Sequence, residues 1–202
     1  MMTDVHCHIS SGDASIREWL IGREFVGVHP WSDAEPEKRK GTIGVGEIGL
    51  DRLRCRVISD KMRANFLKQL EFAAEVHCPV VLHGAKCWGE VYRECLPFAK
   101  KIPSFLFHGF SRSAGLLEDI KKIGGFISVG PAVLNDHAVN YREMVKTIPE
   151  EMLLLETDRT EEKASCCLAI NEVARETARL MGKDIAELEK LTDDNADRFA
   201  GL

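Results

Sequence analysis

The chain has 202 residues, which suffices for one domain with a substantial core, and no linker or repeat divides it, so we expect one domain over residues 1–202. Its net charge of -5 argues against binding nucleic acid through the overall field, so a nucleic-acid substrate would need a local positive patch or bound metal ions. The seven cysteines lack C-x-x-C spacing and no leader-like or membrane-spanning stretch is visible, which predicts a reduced, cytoplasmic protein with no membrane partner.

The first predicted strand is "TDVHCHI", residues 3–9. His6 and His8 are two residues apart, so they point to the same face and present two imidazoles side by side at one strand end. This arrangement suits a metal ion, but an isolated H-x-H pair is more often a solvent-exposed feature of a terminus. Partners elsewhere in the chain therefore decide its meaning.

The next segment, "GDASIREWLIGRE" at 12–24, predicts one crossover helix in which Ile16, Trp19 and Leu20 face the sheet. Apolar stripes predict further helices at 60–77 and 112–123. Short apolar runs predict six more strands, at 24–30, 42–50, 78–84, 103–110, 125–130 and 152–158. This alternation implies parallel strands with right-handed crossovers, in either a barrel or a doubly wound sheet.

Polar residues lie at or near the carboxyl ends of these strands: His6, His8, His29, Glu47, His83, His108 and Asp158. One such histidine alone is more often a hydrogen-bonded, half-buried imidazole, but five of the seven histidines lie there and packing gives no reason for it. The other two, His77 and His137, fall in or beside helical segments and indicate no site. Strand ends converge on one mouth only in a barrel, so the pattern favours an α/β TIM-type barrel.

Six of these residues form a candidate metal-binding set: His6, His8, Glu47, His83, His108 and Asp158. Four imidazoles and two carboxylates are enough for two divalent ions that share a bridging carboxylate. Mixed nitrogen and oxygen ligands suit Zn²⁺ or Mn²⁺, whereas Mg²⁺ would prefer more oxygen, so the identity of the metal stays open.

Seven short motifs occur in the same order as in a known family: "DVHCHI", "GVHPW", "GEIGLD", "PVVLHG", "FHGFS", "LLETD" and "DNADRF". With them the chain resembles the TatD-type metal-dependent hydrolases, a branch of the amidohydrolase barrels associated with deoxyribonuclease activity. The resemblance implies that the same six residues bind the metals. It also implies exonucleolytic cleavage of DNA, with single strands or ends as the substrate.

The sequence departs from the family pattern in three places. A helix, a strand and another helix usually separate the H-x-H pair from G-x-H-P, but here the segment between His8 and His29 is much shorter. This predicts a barrel that lacks one βα unit. Either it closes as a seven-stranded, distorted barrel in which residues 3–8 pair directly with 25–29, or it leaves a slot that a dimer interface could cover. The family arginine after the fourth motif is absent from "HGAK", and "RTEEKAS" replaces a proline-containing turn after "ETD".

The predicted chemistry assigns roles within the set. Glu47 bridges the ions, His6 and His8 with Asp158 hold one of them, and the later histidines hold the other. Asp158 is also the candidate that orients and deprotonates the attacking water, although a helix N-cap is an alternative role. His29 either donates to a substrate phosphate or packs beside Pro30.

Basic residues after the third, fourth and fifth predicted strands could supply the positive patch: Arg52, Arg54, Arg56, Lys86 and Arg112. Most surface charges are simply solvated, so we expect only one or two to contact phosphate. Trp31 and Trp88 could stack on a base or could equally pack at the rim.

Three classes of function fit these observations. The first is a metal-dependent deoxyribonuclease that cleaves phosphodiester bonds. The second is a barrel hydrolase that acts on a small ester, amide or phosphoester, because a metal cluster activates water without choosing the electrophile. The third is a catalytically weak relative that serves as a binding partner, but a binding module has no need of the complete ligand set. The sequence indicates no protein partner.

Overall fold

The computed structural model describes residues 1–34, 42–111, 114–160 and 170–202. The strands are β1 (Met2–Cys7), β2 (Ile16–Leu20), β3 (Val45–Asp51), β4 (Val80–Ala85), β5 (Phe105–Phe107), β6 (Gly125–Val129) and β7 (Leu153–Leu155). The α-helices are α1 (Asp60–Val76), α2 (Trp88–Cys95), α3 (Leu117–Lys122), α4 (Val139–Val145), α5 (Ile170–Met181) and α6 (Ile185–Ala200). Short 3-10 helices occupy Leu96–Phe98, Ala114–Leu116, Pro131–Leu134 and Glu150–Met152.

All of the strand pairs are parallel, which confirms the predicted α/β class. β3, β4, β5, β6 and β7 form one sheet in that order, and β1 pairs with β2. Isolated backbone contacts link the two sheets on both sides. Phe25 bridges Ile21 and Gly44, and the Asp158 N–H donates to the His6 carbonyl at 3.0 Å. The strands thus follow one another in a barrel-like order, with isolated contacts in place of continuous ladders at these two joints.

The helix predicted at 12–24 is wrong, because Ile16–Leu20 is a strand that pairs with β1 from Met2↔Ile16 to Cys7↔Leu20. Ile16, Trp19 and Leu20 have a spacing that fits a helix, but β1 is buried throughout and needs a hydrogen-bonding neighbour. Residues 8–15, which join these two parallel strands, contain no helix. This connection is shorter than the dozen or so residues that parallel crossovers usually require.

The strand predicted at 24–30 is also wrong, because only Phe25 takes part in bridges and residues 26–29 are irregular. The predicted direct pairing of 3–8 with 25–29 fails for the same reason, since β2 lies between them. The structure describes seven strands, the predicted number, but Ile16–Leu20 is a strand in place of the one predicted at 24–30. Residues 8–34 contain no helix on either side of β2. Because these helices are absent, so short a segment can still contribute a strand.

A buried apolar cluster lies below the carboxyl ends of three strands, two residues before the polar side chains of the site. Val81, Leu106 and Leu154 belong to it, together with Phe199 of α6, which lies 5.8 Å from Phe25 between ring centroids. In each of these strands a polar residue follows two positions later and points to the same face: His83, His108 and Glu156. The cluster therefore underlies the polar site.

The described helices include none that is long and apolar enough to cross a bilayer.

Candidate metal centre

His6, His8 and Asp158 form the first group of possible ligands. His6 lies in β1 and is fully buried, and His8 follows the end of that strand. Asp158 Oδ1 is 3.7 Å from His6 Nε2 and 3.6 Å from His8 Nε2. The three ligand atoms lie within 4.8 Å of one another, which is close enough to share one cation.

Glu47 stands between this group and the later histidines. Its Oε2 is 3.6 Å from His6 Nε2 and 3.5 Å from His8 Nε2. Its Oε1 is 2.5 Å from His83 Nδ1 and 2.7 Å from His108 Nε2. Each oxygen of this buried carboxylate thus faces a separate pair of imidazoles.

The charges within the cluster compensate one another. Burial alone would raise the pKa of Glu47, but the positive charge and hydrogen bond of His108 hold that pKa well below its usual value. Hydrogen bonds to Asp158 and Glu47 raise the pKa of His8 to about 9. A proton on an imidazole here occupies the position that a cation would take between nitrogen and carboxylate ligands.

Unpaired buried atoms show that the residues fit a metal. Both ring nitrogens of His6 are buried without a hydrogen-bond partner, and so is His108 Nδ1. Buried polar atoms of this kind are rare in folded proteins unless an ion or water satisfies them. Burial also lowers the pKa of His6, which favours the neutral imidazole that binds metals.

Two further carboxylates lie beside the later histidines, and the sequence predicted no role for either. His83 Nε2 lies 2.9 Å from Asp51 Oδ2, and His108 Nδ1 lies 3.6 Å from Glu156 Oε1. The Ser128 hydroxyl donates to Glu156 Oε2 at 2.5 Å. Carboxylates commonly fix the ring orientation of ligating histidines. The available signal was their place in the motifs, since Asp51 ends "GEIGLD" and Glu156 stands two residues before Asp158.

His29 lies beside the cluster, although residues 26–29 do not form the strand that its position was expected to end. Its Nε2 is 3.3 Å from Glu47 Oε2, and its ring stacks on Trp31 with centroids 4.8 Å apart. Trp31 also meets the edge of His83, and Arg54 lies over the Trp31 ring at 4.7 Å. Trp31 therefore covers one side of the site.

Two of the remaining candidate substrate contacts, Arg52 and Lys86, are not drawn into the cluster. Arg52 forms an ion pair with Glu90 at 2.8 Å, and Lys86 is exposed after the ligand-bearing part of β4. Arg112 lies outside the described residues. Trp88 is buried and packs against Phe107 and Phe110, which supports the packing alternative for this tryptophan.

A cavity of about 290 Å³ opens beside Asp158. Its walls come from the segments that follow β5, β6 and β7. The lining residues are Gly109, Ser111, Gly130, Pro131, Ala132, Tyr141, Glu156, Thr157 and Asp158. A small ligand held in this cavity would lie next to a carboxylate of the candidate metal centre.

The chain is similar to one family model and to several known proteins. A family model described as TatD related DNase matches residues 22–201, so His6 and His8 precede the matched range. The 3'-5' ssDNA/RNA exonuclease TatD of Klebsiella pneumoniae is 28% identical over 200 residues, covering 88% of this chain and 76% of that protein. The uncharacterized metal-dependent hydrolase YabD of Bacillus subtilis is 26% identical and covers 78% of this chain and 64% of that protein.

Solved structures show the same fold. The TatD homologue YjjV from Escherichia coli has a TM-score of 0.62 at 23% identity, over 80% of this chain and 64% of that chain. A TatD family hydrolase from Entamoeba histolytica has a TM-score of 0.65 at 16% identity, over 78% of this chain and 63% of that chain. This chain thus spans less than two thirds of those solved chains.

The family match confirms the predicted resemblance, and the parallel strands confirm the predicted fold class. The chain therefore belongs to the TatD related DNase family, a family of metal-dependent hydrolases.

Proposed function

We propose that residues 1–202 form a single nuclease domain that hydrolyses phosphodiester bonds of single-stranded nucleic acid with two divalent cations. The observation that carries this proposal is the position of Glu47, whose Oε1 faces His83 and His108 while its Oε2 faces the first histidine pair. A carboxylate so placed is suited to bridge two ions.

The residues divide into two ligand groups. His6, His8 and Asp158 would hold one ion and His83 with His108 the other, with Glu47 shared between them. Four nitrogen donors favour Zn²⁺ or Mn²⁺ over Mg²⁺. When bound, the ions would lower the pKa of a water molecule and stabilise negative charge on the phosphodiester oxygens.

Asp158 is the group that receives the proton of the attacking water. Its carboxylate lies beside both members of the first histidine pair and also lines the cavity, so it can contact a water molecule placed between the cluster and a substrate. Burial would raise the pKa of Asp158, but the neighbouring imidazoles of His6 and His8 outweigh burial and hold that pKa below its usual value, so the carboxylate stays ionised.

The cavity suits the end of a single strand. A volume of about 290 Å³ lies near the lower limit of small-ligand pockets, so it accommodates one nucleotide unit and not a duplex. The half-buried ring of Trp31 would stack on a base in place of the Arg54 guanidinium that lies over it, and Arg54 and His29 would then contact phosphate. Curated relatives named 3'-5' ssDNA/RNA exonucleases support exonucleolytic action from a 3' end on DNA or RNA.

Turnover of labelled substrates tests the proposal. Single-stranded DNA and RNA labelled at either end, a duplex, and a panel of small esters, amides and phosphoesters would each be assayed with Mg²⁺, Mn²⁺ or Zn²⁺. We expect stepwise release of mononucleotides from the 3' end of single strands. Faster hydrolysis of an ester or amide would favour a barrel hydrolase that acts on small substrates. No turnover of any substrate would favour a catalytically weak relative that serves as a binding partner.

A further inference from the structure

A second cluster of buried polar residues lies directly behind Asp158. Asp4 of β1 and Glu18 of β2 are register partners in the strand pair, and Arg159 reaches both. The Arg159 guanidinium NH2 is 2.8 Å from Glu18 Oε1 and 3.5 Å from Asp4 Oδ2. The side chains of Arg159, Glu18 and Asp4 are only 11%, 7% and 0% exposed. A cation is therefore already present between these carboxylates, so this cluster is not a second metal site.

The cluster fixes the backbone on both sides of Asp158. The Thr157 N–H donates to Asp4 Oδ1 at 3.0 Å, and its hydroxyl donates to Asp4 Oδ2 at 2.6 Å. The Arg159 carbonyl accepts from the His8 N–H at 2.8 Å. Asp158 itself has a φ of 47°, a left-handed conformation that is uncommon for residues other than glycine.

Arg159 also links residues 157–159 to residues 8–15, the connection between β1 and β2 that contains no helix. Glu18, its closest partner, accepts from the Ser10 hydroxyl at 2.6 Å and from the Ser11 N–H at 2.8 Å. The loop that follows His8 is therefore held by the same carboxylate that holds Arg159. In this way one guanidinium joins β2, the loop after His8 and the segment that carries Asp158.

We infer that Arg159 is a positioning residue that keeps His8 and Asp158 at the separation at which both ligate the same cation, an inference that rests on the proposed metal centre. Without the guanidinium, Glu18 and Asp4 would lose the cation that lies between them, and β2 would lose its side-chain link to the segment that carries Asp158. In the bonds that the structure describes, the Arg159 side chain contacts Glu18 and Asp4 and not the ligand atoms of the first group, so we assign its effect to the backbone of its neighbours.

Mn²⁺ binding measured by titration calorimetry on the full chain tests this role, together with thermal unfolding of each variant. Arg159→Met should weaken Mn²⁺ binding by about tenfold or more, which is the usual effect of removing an outer partner of metal ligands. Arg159→Lys should restore part of the affinity, because an ammonium group can still pair with Glu18.

The matched control is Arg17→Met. Arg17 also lies on β2 and forms an ion pair with Asp197 at 2.6 Å, but it contacts neither His8 nor residues 157–159 in the bonds described. This variant should lower the unfolding temperature while leaving the Mn²⁺ affinity within about twofold of wild type, since its site is separate from the metal ligands. A purely structural role for Arg159 would give the two variants the same Mn²⁺ affinity.

A second variant covers the case in which Arg159→Met does not fold. Glu18→Gln preserves shape, removes the closest charge partner of Arg159, and should weaken Mn²⁺ binding by about threefold or more. Wild-type affinity in the folded variants, while wild type itself binds Mn²⁺, would overturn the positioning role and leave the proposed function intact. Failure of wild type to bind Mn²⁺ would overturn both the metal centre and the inference.

Discussion

The imidazole of His6 stacks on that of His108 with ring centroids 4.0 Å apart and ring planes inclined by 10°. The two side chains come from β1 and from the end of β5, which belong to different sheets. Their contact brings the first ligand group against the second across the mouth, with Glu47 within 3.6 Å of both rings' Nε2 atoms. The ligands therefore form one continuous cluster.

Metal analysis should give close to two divalent ions per chain. Glu47 presents one oxygen to each ligand group, so the first ion does not use up the ligands of the second. The measurement is elemental analysis of protein purified without chelator and then reloaded with Zn²⁺ or Mn²⁺. A ceiling of one ion per chain would remove the bridging role from Glu47.

Glu47→Gln and Asp158→Asn should each lower kcat by about a hundredfold or more while keeping the fold, since each removes a ligand charge without changing shape. Nuclease assays at saturating metal and circular dichroism measure the two effects. His77→Asn is the control, because His77 is exposed at the end of α1 and asparagine tolerates its left-handed backbone. Full activity of either carboxylate variant would contradict the two-metal mechanism.

Asp51→Ala should weaken binding of one ion and spare the other. Asp51 contacts His83 Nε2, so its loss frees the His83 ring, and removal of such partners costs about 10- to 100-fold in metal affinity. The group of His6, His8 and Asp158 has no contact with Asp51 in the bonds described. Calorimetric titration should resolve two unequal sites, and an equal loss at both would argue against a separate second site.

Trp31 and Trp88 should respond differently to truncation. Trp31→Ala should raise KM for single-stranded DNA, since a base stacked on an aromatic ring contributes about 1–3 kcal/mol, while the unfolding temperature changes little. Trp88→Ala should instead lower the free energy of unfolding by about 3–5 kcal/mol, because Trp88 is buried against Phe107 and Phe110. An unchanged KM for Trp31→Ala would assign that ring to packing.

The polar site could be anticipated from sequence better than the strand order. His83 and His108 each follow a buried residue by two positions, so strand periodicity alone places them on a common face. The segment from Ile16 to Leu20 gave no such signal, because its apolar spacing fits a helix and only the pairing with β1 makes it a strand.

The supporting residues lay beyond reach of sequence reasoning for a different reason. Asp51, Glu156 and Arg159 acquire a role only through partners far along the chain, as in the contact of Arg159 with Glu18. Motif position marks Asp51 and Glu156 as candidates, but neither motif position nor charge identifies the partner that gives each residue its role.

The contacts between β1, β2 and α6 impose an order on assembly during synthesis. Thr3 donates to Asp193 across 190 residues of sequence, and Arg17 reaches Asp197 across 180. An isolated pair of strands is marginally stable, so β1 and β2 gain this support only after the ribosome has released α6. His6 and His8 therefore gain the support of α6 only after the other four ligands have been synthesised, so the complete centre assembles late.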